Sequence, residues 1–230
     1  DHAILRNSIE EVTKGARTPR ILHVGCGSSQ LTEGMYEDGY HDIVNIDSSE
    51  IVISQMRQRN ENRPKMTWSA MDALRMTFEN DSFDLVIDVG MLDTFSCMNG
   101  YRLAVAKYLK EVVRVLRPGG FFFCASIGDS RTILEMPHLE WNFREVRFPG
   151  VDESDNYLYV CQVADSEGLN DRLLEKWAEV REDIEEERDD FLEYLLEEAD
   201  DPSQAYTEED IENMKYLADD WRKTADQLQE

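Results

Sequence analysis

The sequence predicts an α/β fold, in which a doubly wound, mostly parallel seven-stranded sheet is followed by an acidic helical hairpin. Three observations predict it. Residues 21–31 (ILHVGCGSSQL) form an apolar strand that runs into a glycine turn and then opens a helix. Further apolar runs end at or just before acidic residues, Asp47 and Asp72. A C-terminal segment repeats apolar residues mostly at three- and four-residue steps, as amphipathic helices do.

Strands and helices are predicted to alternate along the chain. Residues 83–89 (FDLVIDV) are an apolar run typical of a buried strand. Residues 116–120 (LRPGG) end a helix and make a tight turn before the apolar run 121–125. The predicted strands are near 20–24, 43–47, 66–70, 83–89, 120–127, 142–148 and 156–163, and the predicted helices of this part are near 29–38, 49–59 and 101–116.

The glycine turn and the two acids predict a nucleotide-cofactor site. In an open parallel sheet, ligands bind at the carboxyl ends of the strands, where glycine lets backbone amides approach and an acid can hold ribose hydroxyls. A dinucleotide site requires Gly-x-Gly-x-x-Gly, but Gln30 stands at the third glycine position. Asp47 suits a dinucleotide as well as S-adenosylmethionine, so it does not discriminate between these two cofactors. Asp72 offers a carboxylate to an adenine amino group, which favours S-adenosylmethionine.

Each motif alone also has a purely structural interpretation. The turn 25–27 could only join a strand to a helix, Asp72 could be a surface acid, and 118–120 could be merely a turn. Their joint order makes a chance arrangement a poor explanation, and the cofactor site remains the prediction.

This order of motifs resembles the class I, seven-stranded S-adenosylmethionine-dependent methyltransferases, and within them the elongation factor 1-alpha lysine methyltransferases of the methyltransferase-like group. The resemblance spans roughly residues 16–163 and is carried by VGCGSS (24–29), DIVNID (42–47), MDA (71–73), DSFDLVID (81–88) and GMLD (90–93). It implies a Rossmann-like methyltransferase domain, S-adenosylmethionine as cofactor and an amine of a protein as acceptor.

Eight residues at the strand ends are expected to bind the cofactor. They are Gly25, Cys26 and Gly27 beside the methionyl part, Asp47 and Ser48 at the ribose, Asp72 and Ala73 at the adenine, and Asp88 at the methionine amino group.

Three departures from the family pattern bear on this site. The family commonly shows acid-Lys-Gly-Thr-Leu-Asp after the fourth strand, whereas residues 88–93 read DVGMLD, with Val89 in place of the lysine. His23 stands where many methyltransferases have an acid, and we predict that it is a core residue. Relatives carry an aromatic-rich segment before the first strand, but only a short stretch from Asp1 precedes it here. Part of the cofactor lid is therefore expected to be absent or altered.

Methyl transfer is an in-line displacement, so the protein mainly orients the reactants, an effect that contributes roughly 7 to 11 kcal/mol. The candidates near the acceptor are Asp93 and Trp141, with Met91 beside them. Asp93 either orients the acceptor amine or caps the following helix. An aromatic ring such as that of Trp141 could pack on an amine or a sulfonium by cation-π attraction. Phe95 is expected to lie in the core.

Composition excludes several classes of function. The net charge of −25 argues against nucleic acid as the main ligand and favours a basic partner. The 4 cysteines and 4 histidines are scattered, so neither a metal site nor a disulfide framework is predicted, and the cysteines are expected to be reduced core residues. No signal peptide and no run of about 18 apolar residues is present, so we expect a cytoplasmic protein without a membrane span.

The charge is concentrated in a predicted second domain. Residues 1–164 form the methyltransferase domain, and residues 165–230 are an acidic extension with 25 acidic and 7 basic residues. Two amphipathic helices, 171–199 and 208–229, are predicted to form a hairpin, with Thr207 capping the second. Their apolar stripes are Leu173, Trp177, Val180, Ile184, Phe191 and Leu195, and then Ile211, Met214, Leu217, Trp221, Ala225 and Leu228.

Several interpretations remain open at this stage. The hairpin either packs on the sheet domain with a solvated acidic face, or docks a lysine-rich protein, or mediates self-association. The enzyme could also methylate a nitrogen or oxygen of a small molecule, because acceptor specificity lies in the variable loops of a fold. A third interpretation is a non-catalytic scaffold that binds a basic or identical chain.

Overall fold

The structure is a computed structural model that describes residues 2–13, 18–97, 101–149, 155–200, 206–208, 210–216 and 218. The strands are β1 (Ile21–Val24), β2 (Ile43–Asp47), β3 (Met66–Ala70), β4 (Phe83–Val89), β5 (Leu116–Ser126), β6 (Trp141–Pro149) and β7 (Asp155–Val163). The helices are α1 (His2–Thr13), α2 (Leu31–Glu37), α3 (Glu50–Arg59), α4 (Met91–Ser96), α5 (Tyr101–Val115), α6 (Arg131–Leu134) and α7 (Leu169–Asp200).

All seven strands belong to one sheet, with the order β3-β2-β1-β4-β5-β7-β6. Strands β1 to β5 pair in parallel, and β7 is antiparallel to both β5 and β6. The predicted fold class of the sheet is confirmed. Three helices were not predicted: α1, and the short α4 and α6, which have too few residues to show a helical period.

Helices cover both faces of the sheet, because its central strands are apolar on both sides. On β1, the side chain of Ile21 packs with α1, α2 and α3, whereas Leu22 and Val24 pack with α4, α5 and α7. Successive side chains of a strand point to opposite faces, so one strand contributes to both cores. His23 is 1 % exposed and bonds to Asn45, which confirms the prediction of a core histidine.

Helix α7 coincides with the first predicted helix of the acidic extension. Its buried residues include Leu173, Val180 and Ile184 of the predicted stripe, and it packs along α5. Phe191 is a correction, because it is 42 % exposed and its neighbour Leu192 is buried instead. Because α7 shares the core of the sheet domain, the predicted domain boundary after residue 164 stays a prediction. Docking of a lysine-rich protein and self-association through the acidic face also stay predictions.

The second predicted helix is described only in part. Residues 208, 210–216 and 218 are helical, and Thr207 caps their start as predicted. The hydroxyl of Thr207 accepts a bond from the Asp210 amide at 3.2 Å, and the Asp210 carboxylate accepts one from the Thr207 amide at 2.8 Å. Leu217, Trp221, Ala225 and Leu228 of the predicted stripe lie outside the described residues.

A carboxylate of the sheet domain holds the start of α7. Glu140 accepts bonds from Arg172 Nη2 at 2.9 Å and from Lys176 Nζ at 2.8 Å. These bonds from Arg172 and Lys176 lower the pKa of Glu140 to about 2 from an ordinary 4.5. A group with a lowered pKa stabilises the folded state above its unfolded pKa, and this stabilisation disappears as the pH falls toward 2.

The Glu140→Gln variant is therefore expected to be less stable than the wild-type chain at pH 7, by about 1 kcal/mol, because the ion pairs are partly exposed. Urea unfolding at a series of pH values measures the difference. It should shrink between pH 4.5 and pH 2, the interval between the unfolded and folded pKa values. A difference that stays constant over this interval would show that the ion pairs contribute nothing.

Within the described part of the chain, no helix is both long and apolar enough to cross a membrane.

Candidate functional site

The glycine turn after β1 has a backbone that only glycine adopts easily. Gly25 and Gly27 have φ angles of +60° and +50°. A methyl group added at Gly25 would lie 2.7 Å from Sδ of Met91, so the turn packs tightly against the start of α4. A methyl group added at Gly27 would meet nothing within 4 Å, so open space lies beside that residue.

Asp47 ends β2 directly beside this turn. Its Oδ2 accepts a bond from the Gly27 amide at 2.9 Å, and its Oδ1 accepts one from the Ser49 amide at 2.9 Å. A carboxylate has about four lone-pair positions, so each oxygen keeps capacity for one more donor. The side chain is half-buried, and Ser48 next to it is exposed. Asp47 thus combines a rigid position with free acceptor sites, which fits a ligand that carries hydroxyl groups.

Asp72 lies at the same edge of the sheet as Asp47. Strand β3 pairs with β2 in parallel with Ala70 opposite Asp47, and the Met71 amide donates to the Asp47 carbonyl at 3.0 Å. Asp72 follows immediately and is exposed, and its Oδ1 accepts a bond from the Leu74 amide at 2.8 Å. Ala73 is buried beneath it. The structure therefore brings the two acids together, as the strand order required.

Cys26 has a structural place in the turn. Its amide donates to the Ile46 carbonyl at 3.0 Å, and its side chain is only 2 % exposed. Burial, and then the nearby Asp47 carboxylate, raise the pKa of this thiol to about 12. Any contact of Cys26 with a ligand would thus come from its backbone rather than from a thiolate.

Asp88 requires a correction, because its carboxylate is fully buried and already bonded. It accepts bonds from the amides of Met91 at 2.7 Å and Leu92 at 3.0 Å, and from the hydroxyl of Tyr108 at 2.8 Å. Burial raises its pKa to about 7, against the lowering effect of these donors. The carboxylate therefore fixes the start of α4 against α5 and does not face the crevice as a partner for an amino group.

A cleft of about 280 Å³ opens next to the glycine turn, beyond the ends of β4 and β5. It adjoins the turn because Gly90, one of its lining residues, directly precedes Met91, which touches Gly25. Its walls are mostly apolar, and its rim includes Ile127, 76 % exposed, and Val89, 38 % exposed. The full lining is Leu5, Val89, Gly90, Asp93, Ala125, Ser126, Ile127, Phe148, Asn156 and Leu158.

Asp93 supplies the carboxylate of this cleft. Its Oδ1 accepts a bond from the Ser126 hydroxyl at 2.5 Å, and its Oδ2 accepts one from the Ile127 amide at 3.1 Å. These bonds join α4 to the end of β5 and leave lone pairs on the carboxylate. Neither bond goes to an amide of the helix that follows α4, and both predicted roles of Asp93 stay predictions.

Trp141 is a second correction, because it lies at the opposite edge of the sheet. It pairs with Val163 at the level of the start of β5, whereas the site lies at the end of β5, about 15 Å away along the strand. Its ring stacks on Phe122 and its Nε1 donates to the Leu134 carbonyl at 2.8 Å. Trp141 is thus a packing residue, and Phe95 is a buried core residue as predicted.

Sequence reasoning missed several lining residues of the cleft. Leu5 comes from the unpredicted helix α1. Ser126 ends β5 and Ile127 follows it; this strand was predicted over 120–127, whereas it spans Leu116–Ser126. The position of Ser126 directly after the apolar run 121–125 could have predicted that it lines the cleft, because the candidate site lies where the strands end.

Of the cysteines, Cys97 is exposed rather than buried, which corrects the expectation of four core thiols. Within the described ranges, no three His, Cys, Asp or Glu side chains are grouped closely enough to hold a metal ion.

Residues 22–124 match a family model described as "Methyltransferase domain". The chain is 43% identical over 117 residues to the eEF1A lysine and N-terminal methyltransferase of Bos taurus, which covers 50% of this chain and 17% of that protein. It is 34% identical over 111 residues to EEF1A lysine methyltransferase 4 of Bos taurus, covering 45% of this chain and 44% of that protein. The chain thus spans less than half the length of these relatives.

Solved structures share the fold. The N-methyltransferase NodS from Bradyrhizobium japonicum, in complex with S-adenosyl-L-homocysteine, superposes with a TM-score of 0.57 at 19% identity, over 70% of this chain and 85% of that one. The [4+2]-cyclase SpnF superposes with a TM-score of 0.58 at 14% identity, over 71% of this chain and 82% of that one. The predicted resemblance to class I methyltransferases, and to the elongation factor 1-alpha group, is confirmed by these comparisons.

Proposed function

We propose that this chain, whose residues 22–124 are a methyltransferase domain, transfers a methyl group from S-adenosylmethionine to an amine of a protein. One observation carries the proposal. Asp47, Asp72 and the glycine turn meet at one edge of a parallel sheet, and a cleft with a carboxylate adjoins them. Ligands of open α/β sheets bind at this edge. The names of the curated relatives support a protein amine as the acceptor.

The residues at this edge fit the cofactor. The Asp47 carboxylate would accept hydrogen bonds from the two ribose hydroxyls. The open space beside Gly27 would admit the methionyl part of the cofactor. Asp72 would accept the adenine amino group, with Ala73 and Ser48 beside it. S-adenosylmethionine supplies an electrophilic methyl group on a sulfonium. The chain itself contributes orientation and the exclusion of water.

An amine acceptor must lose its proton before it can take the methyl group. A lysine has an unperturbed pKa of about 10.4, so its neutral form costs about 4 to 5 kcal/mol near pH 7. Apolar walls favour the neutral amine, whereas a carboxylate favours the ammonium. We propose that Asp93 binds the incoming ammonium at the cleft, and that Leu5, Phe148 and Leu158 favour release of its proton to solvent.

The Asp93→Asn variant tests this role. We expect kcat/KM for the protein acceptor to fall about 30-fold, because a charge-assisted bond of about 2 kcal/mol is lost. Cofactor affinity should change little, because Asp93 lies in the acceptor cleft. Steady-state kinetics and cofactor titration measure the two quantities. The control is Glu135→Gln, which removes an exposed carboxylate on the connection between β5 and β6, outside the lining of the cleft. An equal fall of kcat/KM in both variants, or an unchanged kcat/KM in Asp93→Asn, would refute the role of Asp93 in binding the acceptor.

The class of acceptor is tested with tritiated S-adenosylmethionine in an unmethylated cell extract, separated into protein and metabolite fractions. Label in protein, including elongation factor 1-alpha, is expected. Label in the metabolite fraction alone would favour a small-molecule methyltransferase. The variant Asp47→Ala serves as the blank, because it removes the proposed ribose contact. Absence of label with a chain that binds no cofactor would favour the non-catalytic scaffold.

A further inference from the structure

An arginine holds the second half of the glycine turn. Arg59, the last residue of α3, donates to the carbonyl of Ser28 from Nη1 at 3.2 Å and from Nη2 at 3.3 Å, and to the carbonyl of Ser29 from Nη2 at 3.1 Å. Its Nε donates to Glu33 Oε1 at 2.6 Å. One guanidinium thus joins α3 to the turn and to the first turn of α2.

The turn has separate supports for its two halves. The amides of Cys26 and Gly27 are bonded to the end of β2, at the Ile46 carbonyl and the Asp47 carboxylate. The next two residues point their carbonyl oxygens to Arg59. A peptide unit is planar, and in its trans form the carbonyl and the amide point in opposite directions. Fixing the carbonyls of Ser28 and Ser29 therefore also fixes the amide directions of the residues that follow them.

Glu33 keeps this guanidinium in place. Its Oε1 also accepts a bond from Asn60 Nδ2 at 3.1 Å. Glu33 of α2 is therefore bonded both to the last residue of α3, Arg59, and to the C-cap residue Asn60. A cation near the N-terminus of α2 opposes the helix dipole, and the carboxylate of Glu33 in the first turn of that helix offsets it. The planar fork of arginine can bond several acceptors at once, which the ammonium of lysine does less well.

We propose that Arg59 is a positioning residue for the cofactor, which sets the shape of the glycine turn through the carbonyls of Ser28 and Ser29. The inference rests on the proposed function only in taking S-adenosylmethionine as the ligand of this turn. It predicts that Arg59 governs affinity for the cofactor and leaves the methyl-transfer step itself unchanged.

A matched control lies in the turn that follows α3. Arg63 donates to Glu37 of α2 from Nη2 at 2.9 Å and to Asn60 Oδ1 from Nη1 at 3.1 Å. It therefore makes a comparable link to α2, at the far end of that helix from the glycine turn. If Arg59 served only to join neighbouring elements, loss of either arginine would have similar consequences.

The test is calorimetric titration of the whole chain with S-adenosylhomocysteine. Arg59→Gln is expected to raise Kd about tenfold, or about 1.4 kcal/mol, and Arg59→Lys to raise it less. Arg63→Gln should stay within about twofold of the wild-type Kd. With the tritium assay, KM for the cofactor should rise in Arg59→Gln while kcat at saturating cofactor is retained, and melting temperatures of both glutamine variants should be similar.

Two results would overturn the inference. The first is a Kd of Arg59→Gln equal to that of the wild-type chain, and the second is an equal loss in Arg63→Gln. If Arg59→Gln does not fold, Arg59→Lys decides, and an unchanged Kd in that variant counts against the inference. A wild-type chain that binds no S-adenosylhomocysteine would instead contradict the proposed function.

Discussion

Replacement of Asp47 by alanine is expected to weaken binding of S-adenosylmethionine about 100-fold or more, the largest effect on function that this site predicts. The variant would lose the acceptor for the ribose hydroxyls, and bonds to a charged group contribute about 1.5 to 3 kcal/mol each. It would also release the amides of Gly27 and Ser49, which the carboxylate now holds. Calorimetric titration of the variant and the wild-type chain measures the loss.

Asp42→Ala is the matched control. Asp42 immediately precedes the same strand at its other end, and its partly exposed carboxylate lies 3.9 Å from Arg20. Its removal should leave the cofactor affinity unchanged. If Asp47→Ala bound the cofactor within about threefold of the wild-type affinity, the ribose assignment would be wrong, because two charge-assisted bonds cannot contribute so little.

Replacement of Asp88 by alanine is expected to lower the free energy of unfolding by about 3 to 5 kcal/mol, the largest effect on stability. The side chain is 0 % exposed and accepts three bonds, so its removal leaves two amides and the hydroxyl of Tyr108 without an acceptor inside the protein. Tyr108→Phe removes one donor and keeps the carboxylate, so it should cost only about 1 kcal/mol.

Urea unfolding measures both changes. Asp129→Ala provides the control, because Asp129 also loses several partners but is largely exposed, so its unfolding midpoint should fall far less than that of Asp88→Ala. A loss in Asp88→Ala no larger than that in Tyr108→Phe would contradict the structural role of this carboxylate. It would reopen the possibility that Asp88 binds the cofactor.

The sheet could be predicted because its signals are local. The apolar run of β4 and the glycine turn after β1 were each visible within about ten residues. The meeting of Asp47 and Asp72 also followed from the sequence, since parallel neighbouring strands bring their carboxyl ends to one edge. The pattern therefore predicted which edge of the sheet carries the proposed cofactor site, and the comparisons confirm the family resemblance on which this prediction rests.

The acceptor side could not be predicted in the same way, because it depends on tertiary contacts. Strand β6 runs parallel to β5, with β7 between them, so Trp141 at the start of β6 lies away from the site. Asp88 is the second-last residue of a parallel strand, much as Asp47 is the last of another, but Tyr108 on α5 bonds to it across 20 residues of sequence. Leu5 lines the cleft from α1, which is far in sequence from the strands that form the rest of the cleft. No local period encodes these contacts.

The most direct test of the account is calorimetric titration of the wild-type chain with S-adenosylmethionine, with NAD as the comparison ligand. We expect saturable binding of S-adenosylmethionine at one site, because Asp47 and Asp72 lie at this edge. We expect no heat of binding for NAD, because Gln30 replaces the third glycine of a dinucleotide turn. Binding of NAD alone, or no binding of S-adenosylmethionine at millimolar concentration, would contradict the central claim that this edge of the sheet is a methyl-donor site.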